Sequence, residues 1–147
     1  KQTVIAGTRS GVDKACDVLK AKGAKRALPL AVSAPFHCSL MMPAADRLKD
    51  RLLSTPMSEP RIPVLNNIDV AIQNDVGAIR DALYRQAFGP VRWVELIQAI
   101  RTRGIAHIVE CGPGKTLAGM VKRIDPQAVA GNVTDPTTMA AVKEVLT

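Results

Sequence analysis

The stretch from Ile105 to Cys111 is a near-continuous apolar run, and it is followed at once by Gly112-Pro113-Gly114. A run of that kind suits a strand buried on both faces of a parallel sheet. The glycine–proline turn then leads into an apolar-periodic helix to about Ile124, and a short strand is predicted over Gln127–Gly131. Strands that alternate with helices imply an α/β fold with a mainly parallel sheet.

The same alternation runs through the rest of the chain. Gln2–Ala6 reads as a strand, and Ser10 as the N-cap of a helix, with Asp13 in the capping-box position. Val12, Ala15, Cys16 and Leu19 fall on one face of that helix, and Gly23 is placed to close it. Arg26–Ser33 is the next predicted strand. A second helix covers about Leu40–Ser54, with Met41, Ala45, Leu48 and Leu52 as its apolar stripe. Three prolines, Pro56, Pro60 and Pro63, punctuate the approach to a strand at Ile62–Asn66. Asp75 can cap a helix running to about Phe88. Gly89-Pro90 breaks the chain, and Pro90 is suited to open the following helix, whose buried side is Val91, Val94, Ile97 and Ile100 and whose end is Gly104. Asp135-Pro136 has the form of an N-cap and first turn for a last helix.

Composition narrows the function classes. Apolar residues make up 47% of the 147, enough for a core, but only two Phe, one Tyr and one Trp are present, so aliphatic packing dominates. The net charge of +7 favours acidic partners: nucleic acid, an acidic carrier protein or a phosphorylated cofactor. The charges are dispersed and no finger, RNP or helix-turn-helix signature occurs, which argues against nucleic acid. Lys20, Lys22, Lys25 and Arg26 sit at a predicted helix end, where basic residues complement the dipole. Cys16, Cys38 and Cys111 have neither metal-ligand spacing nor an even count, so free thiols in a reducing, cytoplasmic compartment and no metal are expected. No apolar run approaches the roughly 18 residues of a membrane span. The chain begins at Lys1, without Met and close to a strand, so upstream sequence is expected.

Two motifs invite chemistry and do not support it. Glu110-Cys111-Gly112-Pro113-Gly114-Lys115-Thr116 resembles a phosphate loop, but Val109 stands where the first glycine belongs, so the loop is too short to wrap a triphosphate. What remains is a tight turn whose helix donors could hold an anion weakly. A serine nucleophile needs a Gly-x-Ser-x-Gly elbow, and none exists; Gly7-Thr8-Arg9-Ser10-Gly11 has its serine one place late. Cys38 adjoins His37, but neighbours on an extended segment point apart, which favours a packing role for the thiol. The remaining candidates are the two histidines. His107 falls inside the apolar strand and reads as structural. His37 lies in a strand-end loop, the usual place for catalytic residues in α/β folds, and an imidazole suits general base work.

The words around His37 sharpen this. Ala34-Pro35-Phe36-His37-Cys38-Ser39-Leu40-Met41 resembles the histidine motif of the malonyl-CoA:acyl carrier protein transacylases. So do Pro63-Val64-Leu65-Asn66-Asn67, Ala78-Ile79-Arg80-Asp81-Ala82-Leu83 with Arg85-Gln86, Pro90-Val91-Arg92-Trp93, and Glu110 to Leu117 with Lys122-Arg123-Ile124. The order and spacing match across essentially the whole chain.

The resemblance implies the C-terminal part of an α/β-hydrolase-like core, residues 36–147, preceded over residues 1–35 by the second half of an inserted ferredoxin-like subdomain. It implies malonyl transfer from CoA to the phosphopantetheine thiol of acyl carrier protein, in fatty acid biosynthesis, through a malonyl-serine intermediate. No cofactor is implied: CoA and the carrier-bound phosphopantetheine are substrates. His37 aligns with the catalytic histidine, and Gln86 with the residue whose backbone carbonyl orients it. Phe36 either narrows the acyl site in favour of malonyl or is a wall of the core. Asn66 and Asn67 either line the site or cap a strand end. The family's serine, oxyanion loop and carboxylate-binding arginine belong to an N-terminal half that this sequence does not contain, so that half joins acyl carrier protein and malonyl-CoA among the expected partners. Alternatives are the acyltransferase domain of a polyketide synthase and a non-catalytic α/β binding module. A partial subdomain is also expected to expose apolar surface.

Overall fold

The strand–turn–helix–strand unit is present in the computed structural model of the chain, which describes residues 3–146. Strand β1, His107–Cys111, and strand β2, Val129–Val133, are joined by helix α5, Thr116–Ile124. The strands pair in parallel, with His107 opposite Val129 and Cys111 opposite Val133. Parallel neighbours cannot be joined by a tight turn, and α5 supplies the crossover they need. Helix α4, Trp93–Thr102, packs on α5, and helix α6, Pro136–Leu146, packs on β2. Ile97, Val121 and Ala128 are the buried centre, surrounded by Trp93, Ile100, Ile108, Ile124 and Ala130. An ion pair between Arg101 and Asp125 ties the end of α4 to the residue that closes α5.

These elements form one of two compact units, Arg92–Thr147; the other is Lys1–Val91. Among the described residues the second unit is helical. It contains α1 (Arg9–Ala21), a 3₁₀ turn at Ser39–Met41, α2 (Met42–Ser54) and α3 (Val76–Gln86). Helices α2 and α3 pack together around Ala45 and Ala82, which are buried. Polar links reinforce the pair. The Tyr84 hydroxyl donates to Asp46 at 3.0 Å, Arg80 donates to the Thr55 carbonyl at 3.0 Å, and the Lys49 ammonium lies 5.2 Å from the Tyr84 ring centre. The bond to Asp46, then desolvation, raises the Tyr84 hydroxyl above its ordinary pKa.

Several expectations need correction. Helix α1 starts at Arg9 and its N-cap is Thr8, whose hydroxyl accepts from the Gly11 amide at 3.2 Å. Ser10 lies inside the helix. A capping box centred on Thr8 would need a side chain at Gly11, which has none, so Asp13 plays no such part. The far end agrees with expectation: Gly23 has φ +90°, and bonds from Gly23 to the Lys20 carbonyl and from Ala24 to the Leu19 carbonyl close a Schellman motif.

Neither segment expected as an early strand is one. Gln2 lies outside the described residues; residues 3–6 and 26–33 have no ladder partners, and the Val32 amide turns back to the Leu30 carbonyl at 3.0 Å. A strand exists only when a neighbour takes up its N–H and C=O groups. Leu28, Leu30 and Val32 keep the period-two pattern of a strand face, yet they are 71%, 55% and 63% exposed. The strand expected at Ile62–Asn66 reduces to one antiparallel bridge, Leu65 with Ile72. Strand β1 is shorter than the run Ile105–Cys111, and it is half-buried with exposed ends because β2 is its one ladder partner among the described residues. The helix expected to open at Pro90 starts at Trp93, where Arg92 and Glu95 pair across the first turn at 2.6 Å.

Asp135 does cap α6. Its carboxylate accepts from the Thr138 amide at 2.8 Å. That bond, followed by the one from the Thr134 hydroxyl, holds its carboxyl below the ordinary value of 3.8. The cap is therefore fully formed above that value and is lost as pH falls through the lower folded one. We expect the Thr138 amide resonance to shift with acid over that range in a proton–nitrogen NMR titration, and to lose that inflection in Asp135→Ala.

Candidate active site

Proline and backbone geometry shape the segment around His37. Pro35 has φ fixed by its ring, and the Phe36 amide turns back to the Ala34 carbonyl at 2.9 Å. His37 then adopts φ +61°, the left-handed region, which costs energy for any residue with a Cβ. Two bonds follow on its far side: the Cys38 thiol donates to the Pro35 carbonyl at 3.1 Å, and the Met41 amide to the Cys38 carbonyl at 2.9 Å, opening the 3₁₀ turn that runs into α2. His37 is thus the exposed apex of a short, closed turn at the start of a helix. Phe36, beside it, is 47% exposed. Cys38 is half-buried and its thiol braces the turn rather than facing the imidazole.

Gln86 is the last residue of α3 and is half-buried. No hydrogen bond joins His37 to Gln86 among the described residues. Arg85 holds the end of the helix. Its guanidinium forks onto Asp69, with both N–O distances 2.7 Å, and its Nε donates to Asp81 at 2.6 Å. Asp69 first, then Asp81, stabilise the charged form and raise the Arg85 pKa.

Asp69 belongs to the turn that carries the two asparagines. Asn66 is committed to that turn. Its amide nitrogen donates to the Ala71 carbonyl at 2.9 Å, and its Oδ1 accepts from the Asp69 amide at 2.8 Å. Asn67 differs, because its Oδ1 is buried with no hydrogen-bond partner among the described residues. Val70 takes φ +57°, unfavourable for a β-branched side chain, so the Asn66 and Asp69 anchors hold a strained turn. The Asp69–Arg85 fork carries no signal in sequence spacing, and neither does the left-handed His37.

In the other unit, the Gly112-Pro113-Gly114 turn has Gly112 at φ +139° and Gly114 at φ +96°, backbone that other residues rarely adopt. Glu110 turns back from β1 and accepts from the Ala118 amide, in the first turn of α5, at 2.9 Å. The helix N-terminus is therefore served by the chain's own carboxylate, which disfavours a bound anion. Gly112, Pro113, Lys115, Asn132 and Thr134 line an open groove there. His107 is the exposed first residue of β1, not an interior one. Among the described residues no cluster of His, Cys, Asp and Glu could hold a metal. No helix among them is long and apolar enough to cross a membrane.

No family model matches the chain. Individual proteins do. The chain is 47% identical over 140 residues to the malonyl CoA–acyl carrier protein transacylase of Salmonella typhimurium, covering 95% of this chain and 45% of that one. It is 38% identical to the protein of the same name in Bacillus subtilis, over 99% of this chain and 46% of the relative. Among solved structures, the acyl-carrier-protein S-malonyltransferase of Burkholderia pseudomallei superposes with a TM-score of 0.88 at 56% identity, over 93% of this chain and 45% of that one. A malonyl-transacylase solved in complex with a type II polyketide synthase acyl-carrier protein superposes at 0.91 with 45% identity, over 95% and 45%. Over nearly its whole length the chain is similar to malonyl-CoA–acyl carrier protein transacylases. It spans about half the length of the curated relatives it matches, and its elements are part of that family's α/β fold.

The Arg85 fork ties the end of α3 to the Asp69 turn, and it is 35% exposed on the arginine side and 29% on the aspartate side. Solvent screens it in part. We expect Arg85→Met to lower unfolding free energy by about 1 kcal/mol in urea titration. Arg85→Lys should restore only a fraction, because an ammonium cannot make the two parallel bonds.

Proposed function

We propose that this chain is the histidine-bearing, C-terminal portion of an enzyme that moves malonyl from CoA to acyl carrier protein in fatty acid biosynthesis. The observation that carries the reading is the alignment of nearly the whole chain with such transacylases, with His37 exposed at the apex of a braced turn. Residues 1–35 are taken as the second half of a ferredoxin-like subdomain and residues 36–147 as part of the α/β-hydrolase-like core. The segments without ladder partners on either side of α1 support the first assignment. In a split β-α-β unit the two strands leave room for a third between them.

In the first half-reaction His37 removes the proton from a serine hydroxyl on the remainder of the protein. The serine oxygen attacks the thioester carbonyl of malonyl-CoA, the carbon–sulfur bond breaks, and the imidazolium returns its proton to the CoA thiolate. In the second half, His37 takes the proton of the carrier's phosphopantetheine thiol, whose sulfur attacks the malonyl-serine ester. The proton then returns to the serine oxygen. The Gln86 carbonyl accepts from the other ring nitrogen, which fixes the tautomer without adding a charge. Because a main-chain atom does this, the Gln86 side chain matters little. Phe36 narrows the space beside the acyl α-carbon. Asn67, with its unpartnered acceptor, fits a site-lining role better than Asn66, whose amide is consumed by its own turn. The net charge of +7 suits an acidic carrier and a phosphorylated donor.

Three outcomes test this. The 147-residue chain alone should show no malonylation by intact-mass spectrometry, since a base without a nucleophile forms no acyl-enzyme. In the full-length transacylase, His37→Ala should lower malonyl transfer by about two to four orders of magnitude, the usual worth of a general base. A loss within about twofold would discard the assignment. Phe36→Ala should raise the rate with methylmalonyl-CoA relative to malonyl-CoA in competition assays, and an unchanged ratio would make Phe36 a wall of the core.

A further inference from the structure

The last turn of α3 leaves the Gln86 carbonyl unused, and the reason is a proline. The Ala87 amide donates to the Tyr84 carbonyl at 3.2 Å. The next two amides, Phe88 and Gly89, both donate to the Arg85 carbonyl, at 3.3 and 2.8 Å. The Gly89 bond reaches back four residues, so helical register persists to that point. The donor due to the Gln86 carbonyl is residue 90, and Pro90 has no N–H. No other group among the described residues donates to it. An unsatisfied carbonyl at a helix end needs a partner from outside the helix.

The surroundings hold this arrangement in place. The Arg85 fork fastens the helix end to the turn at Asp69. That turn presses Ile68 against the backbone of Gly89, where an added Cβ would lie 2.2 Å from Ile68 Cδ1 and 2.9 Å from the Arg85 carbonyl oxygen. The chain at residues 89–90 therefore leaves the helix along a fixed path, with the Gln86 oxygen still carrying its lone pairs.

We infer that Pro90 is a positioning residue for malonyl transfer. By withholding the amide hydrogen that would close the last turn, it keeps the Gln86 carbonyl open as the acceptor for the His37 imidazole. This rests on the reading that Gln86 orients His37. A competing amide would draw the carbonyl into the helix, leave the ring N–H without its acceptor and destabilise the imidazolium formed in each half-reaction.

The test uses the full-length transacylase that contains this chain. Pro90→Ala and Pro90→Ser each introduce the missing N–H. Replacement of Pro90 by lactic acid, through an ester linkage, gives the alanine shape without a donor. The two amide variants should lose about tenfold in kcat/KM, the worth of one hydrogen bond to a charged group. Their acid-side pH–rate limb should move to lower pH, because the imidazolium has lost an acceptor. The lactate variant should return both rate and profile to within about twofold of the parent. Three results would overturn the role of Pro90: amide variants that keep parental rate and profile, a lactate variant as impaired as Pro90→Ala, or amide variants that both fail to fold, which would make the proline purely structural. His37→Ala serves as the separate control. Should it retain activity, the reading of His37 fails whatever Pro90 does; should it be inactive while Pro90→Ala is not, only the Pro90 inference falls.

Discussion

Hydrogen-bond closure at the end of α3 is the constraint on which the helical unit turns. A helix must dispose of its last carbonyls, and here each is handled differently. Tyr84 and Arg85 receive backbone amides, Arg85 taking two, while Gln86 faces a residue that cannot donate. The side chain of Arg85 adds a tether to Asp69, which belongs to a turn held by Asn66 at both ends of its amide. The same turn holds the strained Val70 and brings Ile68 close to Gly89.

His37 follows a related logic on a smaller scale. A left-handed histidine persists only where the neighbouring bonds over-determine it, and the Ala34, Pro35 and Cys38 carbonyls each receive a donor within the turn. The result is an imidazole displayed to solvent on a short segment with little freedom. The proposed role of His37 would use that restriction, since a general base works in one orientation and displaced geometry is costly in rate. Cys38 contributes as a clasp, a role its position beside a histidine would not suggest.

The β-α-β unit was legible in the sequence because its signals are local. An apolar run, a Gly-Pro-Gly turn and an amphipathic stretch specify strand, turn and helix within a few residues of one another. Gly23, Asp75 and Asp135 were legible as caps for the same reason, since a cap acts on amides or carbonyls of its own helix. The early strands were not. Leu28, Leu30 and Val32 carry the right alternation, but pairing depends on a neighbour that local pattern does not supply. Thr8 and Ser10 are equally good caps in isolation, and only the backbone places the cap of α1 at the first of them.

By itself, then, the sequence determined the α/β class, the family resemblance, the position of His37 before a helix and the absence of a serine elbow, all properties of residue order. Only the tertiary structure decided that His37 is left-handed, that Arg85 bridges sixteen residues of chain to Asp69, that Glu110 occupies the head of α5, and that α4 opens at Trp93 rather than at Pro90. Each of these depends on groups distant in sequence, or on which of several allowed backbone paths leaves the fewest polar groups unpaired.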